Sequence, residues 1–226
     1  MRPASIAGGE SGDIRAVGML NFAVTTIITF YVILDPLGNV PIFLGLTEGT
    51  DHGQRRKVAV RAVTVAAIVL LAFGLVGQPL LHFLGISLPA FRIAGGVLLF
   101  LVSVDMVFAR QSGIRSVTNI ESREAEFRSD VAVFPLGVPL IAGPGAITSV
   151  LLLMGQARGE IERQALVLVL LLAMLAFSLL LLLVGSRLMD RLGVTGINVI
   201  GRISGIILAA LAVQYIIDGL KSVLAL

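Results

Sequence analysis

The 226-residue sequence contains no cysteine and only two histidines. The absence of cysteine excludes disulfides, thiol chemistry and Cys-ligated zinc or iron–sulfur centres. Two histidines argue against a histidine metal cluster. We therefore predict neither a metal site nor a cofactor.

Charged residues are also scarce, at 14% of the chain, whereas 57% of the residues are hydrophobic and the mean hydropathy is +1.00. A typical soluble domain carries roughly 25% charge. The chain thus lacks the polar surface of a soluble fold, and we predict that a lipid bilayer surrounds it. Its pI of 9.9 would suit nucleic-acid binding, but the basic residues lie in short connections and form no stripe or motif, so no nucleic-acid partner is predicted.

Six apolar stretches are long enough to cross a hydrocarbon core, which takes about 20 helical residues. The fifth has no charge and one hydroxyl, so we expect it to face lipid around its whole circumference. The other five contain Gly, Pro, Asn, Gln or charge and should form the inner wall. The six predicted spans are 22–46, 62–81, 90–108, 131–154, 165–184 and 197–217.

Polar segments and loop charges indicate the domain organisation. Residues 1–18 are predicted to be a short polar, disordered tail, and the Arg/Glu/Ser-rich segment 109–130 a cytoplasmic linker between the halves 19–108 and 131–226. The first, third and fifth connections contain ten Lys and Arg, against five on the other face. The positive-inside rule therefore predicts that these connections are cytoplasmic and that both termini lie outside.

This topology predicts opposite labelling of two introduced cysteines. In the Cys-free chain, Ser116→Cys should react with an impermeant thiol reagent only from the cytoplasmic side, and Ser11→Cys only from the outer side. Reaction of both positions from one face would contradict the orientation.

An internal repeat relates the two halves. Residues 92–95 (RIAG) and 202–205 (RISG) correspond at an offset of 110, and the first and fourth spans both contain a Pro/Gly break. A unit of three spans forces its second copy to enter from the opposite face. We therefore predict an all-α integral membrane protein with six transmembrane helices in a 3+3 inverted repeat, the architecture of secondary transporters. Chance is the alternative, because Leu, Ile and Gly are common in membrane helices.

The breaks in spans 1 and 4 are the candidate binding elements. A proline stops or kinks a helix, and unpaired backbone at membrane depth is tolerated where it lines a cavity. A half-helix beginning after each break would offer N–H groups and a positive dipole end to a carboxylate. The alternative is that these are structural kinks and packing glycines. The predicted substrate-binding residues are Asp35, Pro36, Gly38, Asn39, Gly143, Pro144, Gly145 and Thr148.

Ionisable residues within the spans are the candidates for ion coupling or gating. Asp35 lies near the middle of span 1, so a proton, a cation, a distant Arg or backbone N–H groups should neutralise it. Coupling and helix capping both remain open for it. Asp105, Asp218, Arg92 and Arg202 lie nearer span ends and are predicted to be anchors or gate pairs, with coupling as a further role.

The motifs resemble the MarC family across all six spans. They are residues 35–43 (DPLGNVPIF), 91–96 (FRIAGG), 134–136 (FPL), 142–148 (AGPGAIT) and 202–205 (RISG). The resemblance implies a six-helix bacterial inner-membrane protein with both termini outside. Some members of the family are described as transporters of small neutral amino acids such as glycine and alanine. Others are uncharacterised and named for an antibiotic-resistance operon, so the name implies no role in resistance.

We therefore predict a secondary transporter that moves a small zwitterion, with a proton or another ion as the coupling partner. No ATP-binding loop of the form GxxxxGK[ST] occurs, so any pumping would use an ion gradient. No nucleophile is paired with a plausible base, and the protein is predicted not to be an enzyme. The alternatives are a channel or exporter for another small polar solute and a non-transporting membrane partner. A homo-oligomer is left open.

Overall fold

The computed structural model describes residues 7–108 and 132–224, in which every regular element is helical. The predicted linker 109–130 lies outside the described residues. The eight elements are α1 (Ala7–Leu34), α2 (Asn39–Leu46), α3 (His52–Phe83), α4 (Leu88–Val107), α5 (Ala132–Ile141), α6 (Pro144–Gln156), α7 (Ile161–Leu183) and α8 (Gly185–Leu224).

Five stretches in the structure are long and apolar enough to cross a membrane. A sixth crossing results if α5 and α6, which are bent by 53° at their junction, count as one span. The predicted all-α membrane fold is confirmed. The five stretches are Val17–Leu46, His52–Phe83, Leu88–Val107, Ile161–Leu183 and Thr195–Leu224.

Local sequence signals determine where several helices begin. The Asp51 side chain accepts a 2.6 Å hydrogen bond from the Gln54 N–H at the start of α3, and Ser87 accepts one from the Ala90 N–H at the start of α4. Both are N-cap bonds. The helix α1 begins at Ala7, within the segment 1–18 that was predicted to be disordered. No proline interrupts the chain from there to Leu34, so the helix extends beyond the apolar span.

The helices α4 and α8 pack so closely that backbone meets backbone. A Cβ placed on Gly96 would lie 2.7 Å from the Ala212 carbonyl oxygen, one on Gly205 would lie 3.0 Å from the Val107 nitrogen, and one on Gly219 would lie 3.1 Å from the Pro89 carbonyl oxygen. Small residues permit such approaches between membrane helices. We call this contact the glycine seam.

The packing is compatible with the predicted 3+3 repeat. Helix α4 packs against α8 and helix α3 against α7, which are equivalent elements of the two halves. Within the glycine seam, Gly96 meets Ile216 and Gly205 meets Met106. If the α4 residue of one contact is moved forward by 110 positions and the α8 residue is moved back by 110, the result is the other contact to within one position. A two-fold relation between the halves requires such an exchange.

The helix α7 does not face lipid all round, so that prediction was wrong. Its buried residues recur every three or four positions and make a stripe along one side, which packs against α1 and α3. A span made almost wholly of Leu, Val and Ala carries no polar signal to mark its packed face. The stripe consists of Val167, Leu171, Leu175, Ser178 and Leu182.

Candidate functional site

The first span is broken between Leu34 and Asn39, as predicted. Pro36 has no N–H to continue α1, and Asp35 takes a left-handed conformation with φ of 43°. The Asp35 carboxylate accepts a 3.1 Å hydrogen bond from the Gly38 N–H, and its carbonyl accepts one from the Asn39 N–H. The Asp35 side chain therefore caps the turn formed by residues 35–38. The helix α2 begins only after this turn, at Asn39.

Two neighbouring residues close this break. Asn39 donates from Nδ2 to the Leu34 carbonyl at 2.8 Å, which pairs a carbonyl whose helical partner, the Gly38 N–H, bonds to Asp35 instead. Gly38 leaves room for the Asp35 carboxylate, because a Cβ at position 38 would overlap that carboxylate and displace it from its capping bond. The Asn39 side chain is buried, and its Oδ1 has no hydrogen-bond partner among the described residues. Asn39 thus combines a structural bond with an acceptor that is available to a ligand.

The second break lies between α5 and α6. Two prolines in α5 push the residues before them, Phe134 and Val138, into extended backbone, and the element ends with a wide turn in which the Ala142 N–H bonds to the Gly137 carbonyl. Helix α6 then starts at Pro144 with Gly143 as its N-cap, as the sequence predicted. Glycine has no side chain to cap the first turn, so within the described residues no N-cap side chain accepts a bond from the N–H groups at this helix start.

A cavity of about 20 Å³ lies against the start of α6. Its side-chain lining is wholly apolar, so backbone groups supply its polar atoms, and the residues of the uncapped helix start are among those that line it. This volume suits one water molecule and is too small for an amino acid. The lining residues are Ile33 of α1, Val102 of α4, Pro139, Leu140 and Ile141 of α5, and Gly143, Pro144, Gly145 and Ala146 of the second break.

The predicted binding residues do not all meet at this cavity. Gly143, Pro144 and Gly145 line it, whereas the first break contributes only its neighbour Ile33. Thr148 is buried one turn further along α6, where its methyl group occupies the space that the missing Cβ of Gly95 leaves on α4. Asp35, Pro36, Gly38 and Asn39 form a second, separately hydrogen-bonded group.

The gate candidates divide between the two ends of α4. Arg92 and Asp218 lie within electrostatic reach of the buried Tyr215, and Asp218 accepts a 2.8 Å hydrogen bond from Gln214. Asp105 is half-buried at the opposite end, and Arg202 is exposed. The structure therefore brings two of the four together at one end of the α4–α8 pair.

Sequence reasoning missed two buried hydroxyl groups. Ser149 and Thr29 are completely buried. The Ser149 hydroxyl has no hydrogen-bond partner in the described part of the chain, whereas the Thr29 hydroxyl lies beside the side chain of the buried Tyr215. Ser149 follows Gly145 by four residues and shares its helix face, a spacing that is readable in the sequence. Thr29 precedes Ile33 by four residues on α1, and the Ile33 side chain lies beside Gly145.

Comparison with known proteins places the chain among membrane proteins. The model of a family described as MarC family integral membrane protein matches residues 20–224. A membrane protein of Methanocaldococcus jannaschii is 40% identical over 205 residues, which cover 91% of this chain and 98% of that protein. No solved structure matches the chain.

Bacterial relatives match over a similar length. The membrane protein YvbG of Bacillus subtilis is 36% identical over 203 residues, covering 90% of this chain and 96% of that protein. The inner membrane protein YhgN of Escherichia coli K12 is 33% identical over 202 residues, covering 89% and 98%. The match therefore includes all the described spans.

Proposed function

The chain belongs to the MarC family of integral membrane proteins, as its motifs predicted, and from this premise we propose that it is a secondary transporter of small neutral amino acids such as glycine and alanine. The observation that carries the proposal is the uncapped start of α6, which borders a small cavity at a break in a membrane span. Irregular backbone at this depth is typical of transporter binding sites.

The helix start fits the carboxylate of a zwitterion. Backbone N–H groups of the first turn and the positive end of the α6 dipole attract an anionic group, and Gly143 and Gly145 let that group approach the backbone. Apolar neighbours such as Ile33 and Val102 suit a ligand with a small side chain. The cavity is smaller than any amino acid, so substrate entry requires α6 to separate from α1 and α4.

The first break supplies the second half of the proposed site. When the cavity widens, the unpartnered Oδ1 of Asn39 and the carboxylate of Asp35 become acceptors for the ammonium group. Asp35 is also the proposed site of the coupled proton. The resting structure gives this carboxylate a capping bond, so coupling would use a group that also holds the break together.

The proposed location is the bacterial inner membrane, with both termini on the outer face. Proteoliposomes test the function directly. We expect saturable uptake and counterflow of radiolabelled glycine or alanine, and stronger accumulation under an inward proton gradient. Flux that does not saturate and shows no counterflow would favour a channel, and no flux of any amino acid would contradict the proposal.

Ser149→Ala should lower transport without lowering stability. The hydroxyl is buried without a bond to any described residue, so its removal relieves a desolvation penalty. If it bonds the substrate when α6 moves, its loss should reduce transport efficiency roughly threefold to tenfold, which corresponds to about 0.5–1.5 kcal/mol. Thermal unfolding and counterflow kinetics measure the two effects.

Ser178→Ala is the matched control. Ser178 is also a buried helical serine, but its hydroxyl donates to the Met174 carbonyl within α7, and it does not lie on α6 beside the second break. The control should transport normally. Normal efficiency in Ser149→Ala as well would remove Ser149 from the transport site.

A further inference from the structure

A second, larger opening lies at the ends of the spans, away from the proposed transport site. It is a cleft of about 270 Å³ between the start of α3 and the junction of α7 with α8. None of its lining residues lines the cavity at α6. The cleft is lined by Leu44, His52, Arg55, Arg56, Leu182, Leu183 and Ser186.

The Arg55 side chain is held in the cleft by one hydrogen bond, while its Nε–H group has no acceptor among the described residues. Its Nη2 donates to the Thr47 carbonyl at 3.3 Å, which positions the guanidinium. Its Nε is buried and has no acceptor anywhere in residues 7–108 or 132–224. A buried donor on a permanent cation is destabilising until an acceptor reaches it, and an anion is the best acceptor.

The surrounding charges also favour an anion. Arg56 lines the cleft beside Arg55, and the positive end of the α3 dipole lies at His52. Two acidic residues are close in sequence, but neither lines the cleft. Asp51 is bonded to the Gln54 N–H as the cap of α3, and Glu48 is exposed.

The other wall of the cleft is apolar. Leu44, Leu182 and Leu183 come from the ends of α2 and α7, where membrane-spanning segments stop. A free phosphate would satisfy the arginines and leave these leucines uncovered. A phospholipid places a phosphate and hydrocarbon next to each other at this depth, and basic pockets between membrane helices are suited to such headgroups.

We propose that this cleft binds an anionic phospholipid. Arg55 and Arg56 hold the phosphate, Ser186 is within the same lining, and the three leucines pack against the upper acyl chain. The proposal is independent of the transport function, because it uses neither break nor the cavity.

The test uses the full chain purified in detergent and titrated with dioleoylphosphatidylglycerol, with dioleoylphosphatidylcholine or with inorganic phosphate. Thermal unfolding and native mass spectrometry report binding. We expect the anionic lipid to raise Tm and to remain bound, with little effect from the other two. Equal stabilisation by phosphatidylcholine would overturn the proposal, and equal stabilisation by inorganic phosphate would assign the cleft to a free anion instead.

Arg56→Gln is the main variant, because Arg55 also bonds Thr47 and its loss affects the local fold. Arg56→Gln should weaken apparent lipid affinity at least fivefold. The matched control Lys57→Gln removes an equal charge from an adjacent exposed position outside the cleft and should bind normally. Ser186→Trp fills the cleft without changing charge and should also weaken binding. Equal weakening in Lys57→Gln, or normal binding in both cleft variants, would contradict the site.

Discussion

Gly145→Val is expected to abolish transport while the protein still folds and inserts. A Cβ at Gly145 would lie 3.0 Å from Leu99 Cδ2 and 3.8 Å from Ile33 Cγ2, so the first carbon fits after a small shift. The two further methyl groups of valine must enter the cavity at the helix start and occupy the proposed carboxylate position. We expect at least a roughly tenfold fall in counterflow, equivalent to about 1.4 kcal/mol.

The fold should survive this change, because overpacking of this kind costs about 1–3 kcal/mol. Gly201→Val is the matched control, since Gly201 is also a helical glycine and a Cβ there meets nothing within 4 Å. Both variants should be compared at equal amounts of folded protein. Wild-type uptake with normal affinity in Gly145→Val would assign Gly145 to packing.

Asp35→Asn is expected to uncouple transport from the proton gradient. Asparagine adopts the left-handed backbone as readily as aspartate, and its side-chain oxygen accepts the same bond from the Gly38 N–H. The break should therefore keep its shape. Asparagine does not ionise, so accumulation driven by a pH gradient should fall to the level seen without a gradient, whereas counterflow exchange, which needs no net proton movement, should continue.

The control for this variant is Asp190→Asn, which removes a carboxylate from an exposed position near the start of α8. It should accumulate substrate normally. If Asp35→Asn also accumulates substrate normally at matched protein levels, Asp35 only caps the break, and coupling would have to involve Asp105 or Asp218. If Asp35→Asn loses both counterflow and accumulation, the substitution has instead damaged the break.

The sequence predicted the elements that depend on local chemistry. The length of the apolar stretches identifies the membrane spans. Proline identifies the breaks at Pro36 and Pro144, because its missing N–H interrupts the hydrogen bonding of a helix. Gly143 as an N-cap followed by Pro144 is likewise a local signal. The motifs at residues 35–43 and 142–148, which resemble those of the family, coincide with the two breaks in the structure.

The sequence did not predict which groups share a cavity. Residues of both breaks were predicted to bind the substrate, yet the cavity joins the second break to Ile33, Val102 and part of α5. This arrangement depends on how deeply each half-helix sits and how α6 turns about its axis. Neither is encoded in span length, and the same limit applies to the packed side of α7.

The structure brings only some of the predicted binding residues to the same cavity. Asp35 and Asn39 form hydrogen bonds within the first break. The sequence alone does not distinguish residues that hold a break together from residues that bind a ligand. Ser149 could have been found by following the Gly145 helix face for one turn. Its burial without a partner, which makes it a candidate, is visible only in three dimensions.

The glycine seam also limits which parts of the molecule can move. At Gly96, Gly205 and Gly219, backbone and side-chain atoms of one helix lie where a Cβ of the other would be, so sliding α4 along α8 would press these backbones against the neighbouring side chains. We therefore expect the pair to travel as one rigid body. Any alternating-access motion would hinge elsewhere, at the breaks that end α1 and begin α6, with α4 and α8 as the fixed frame against which those half-helices swing.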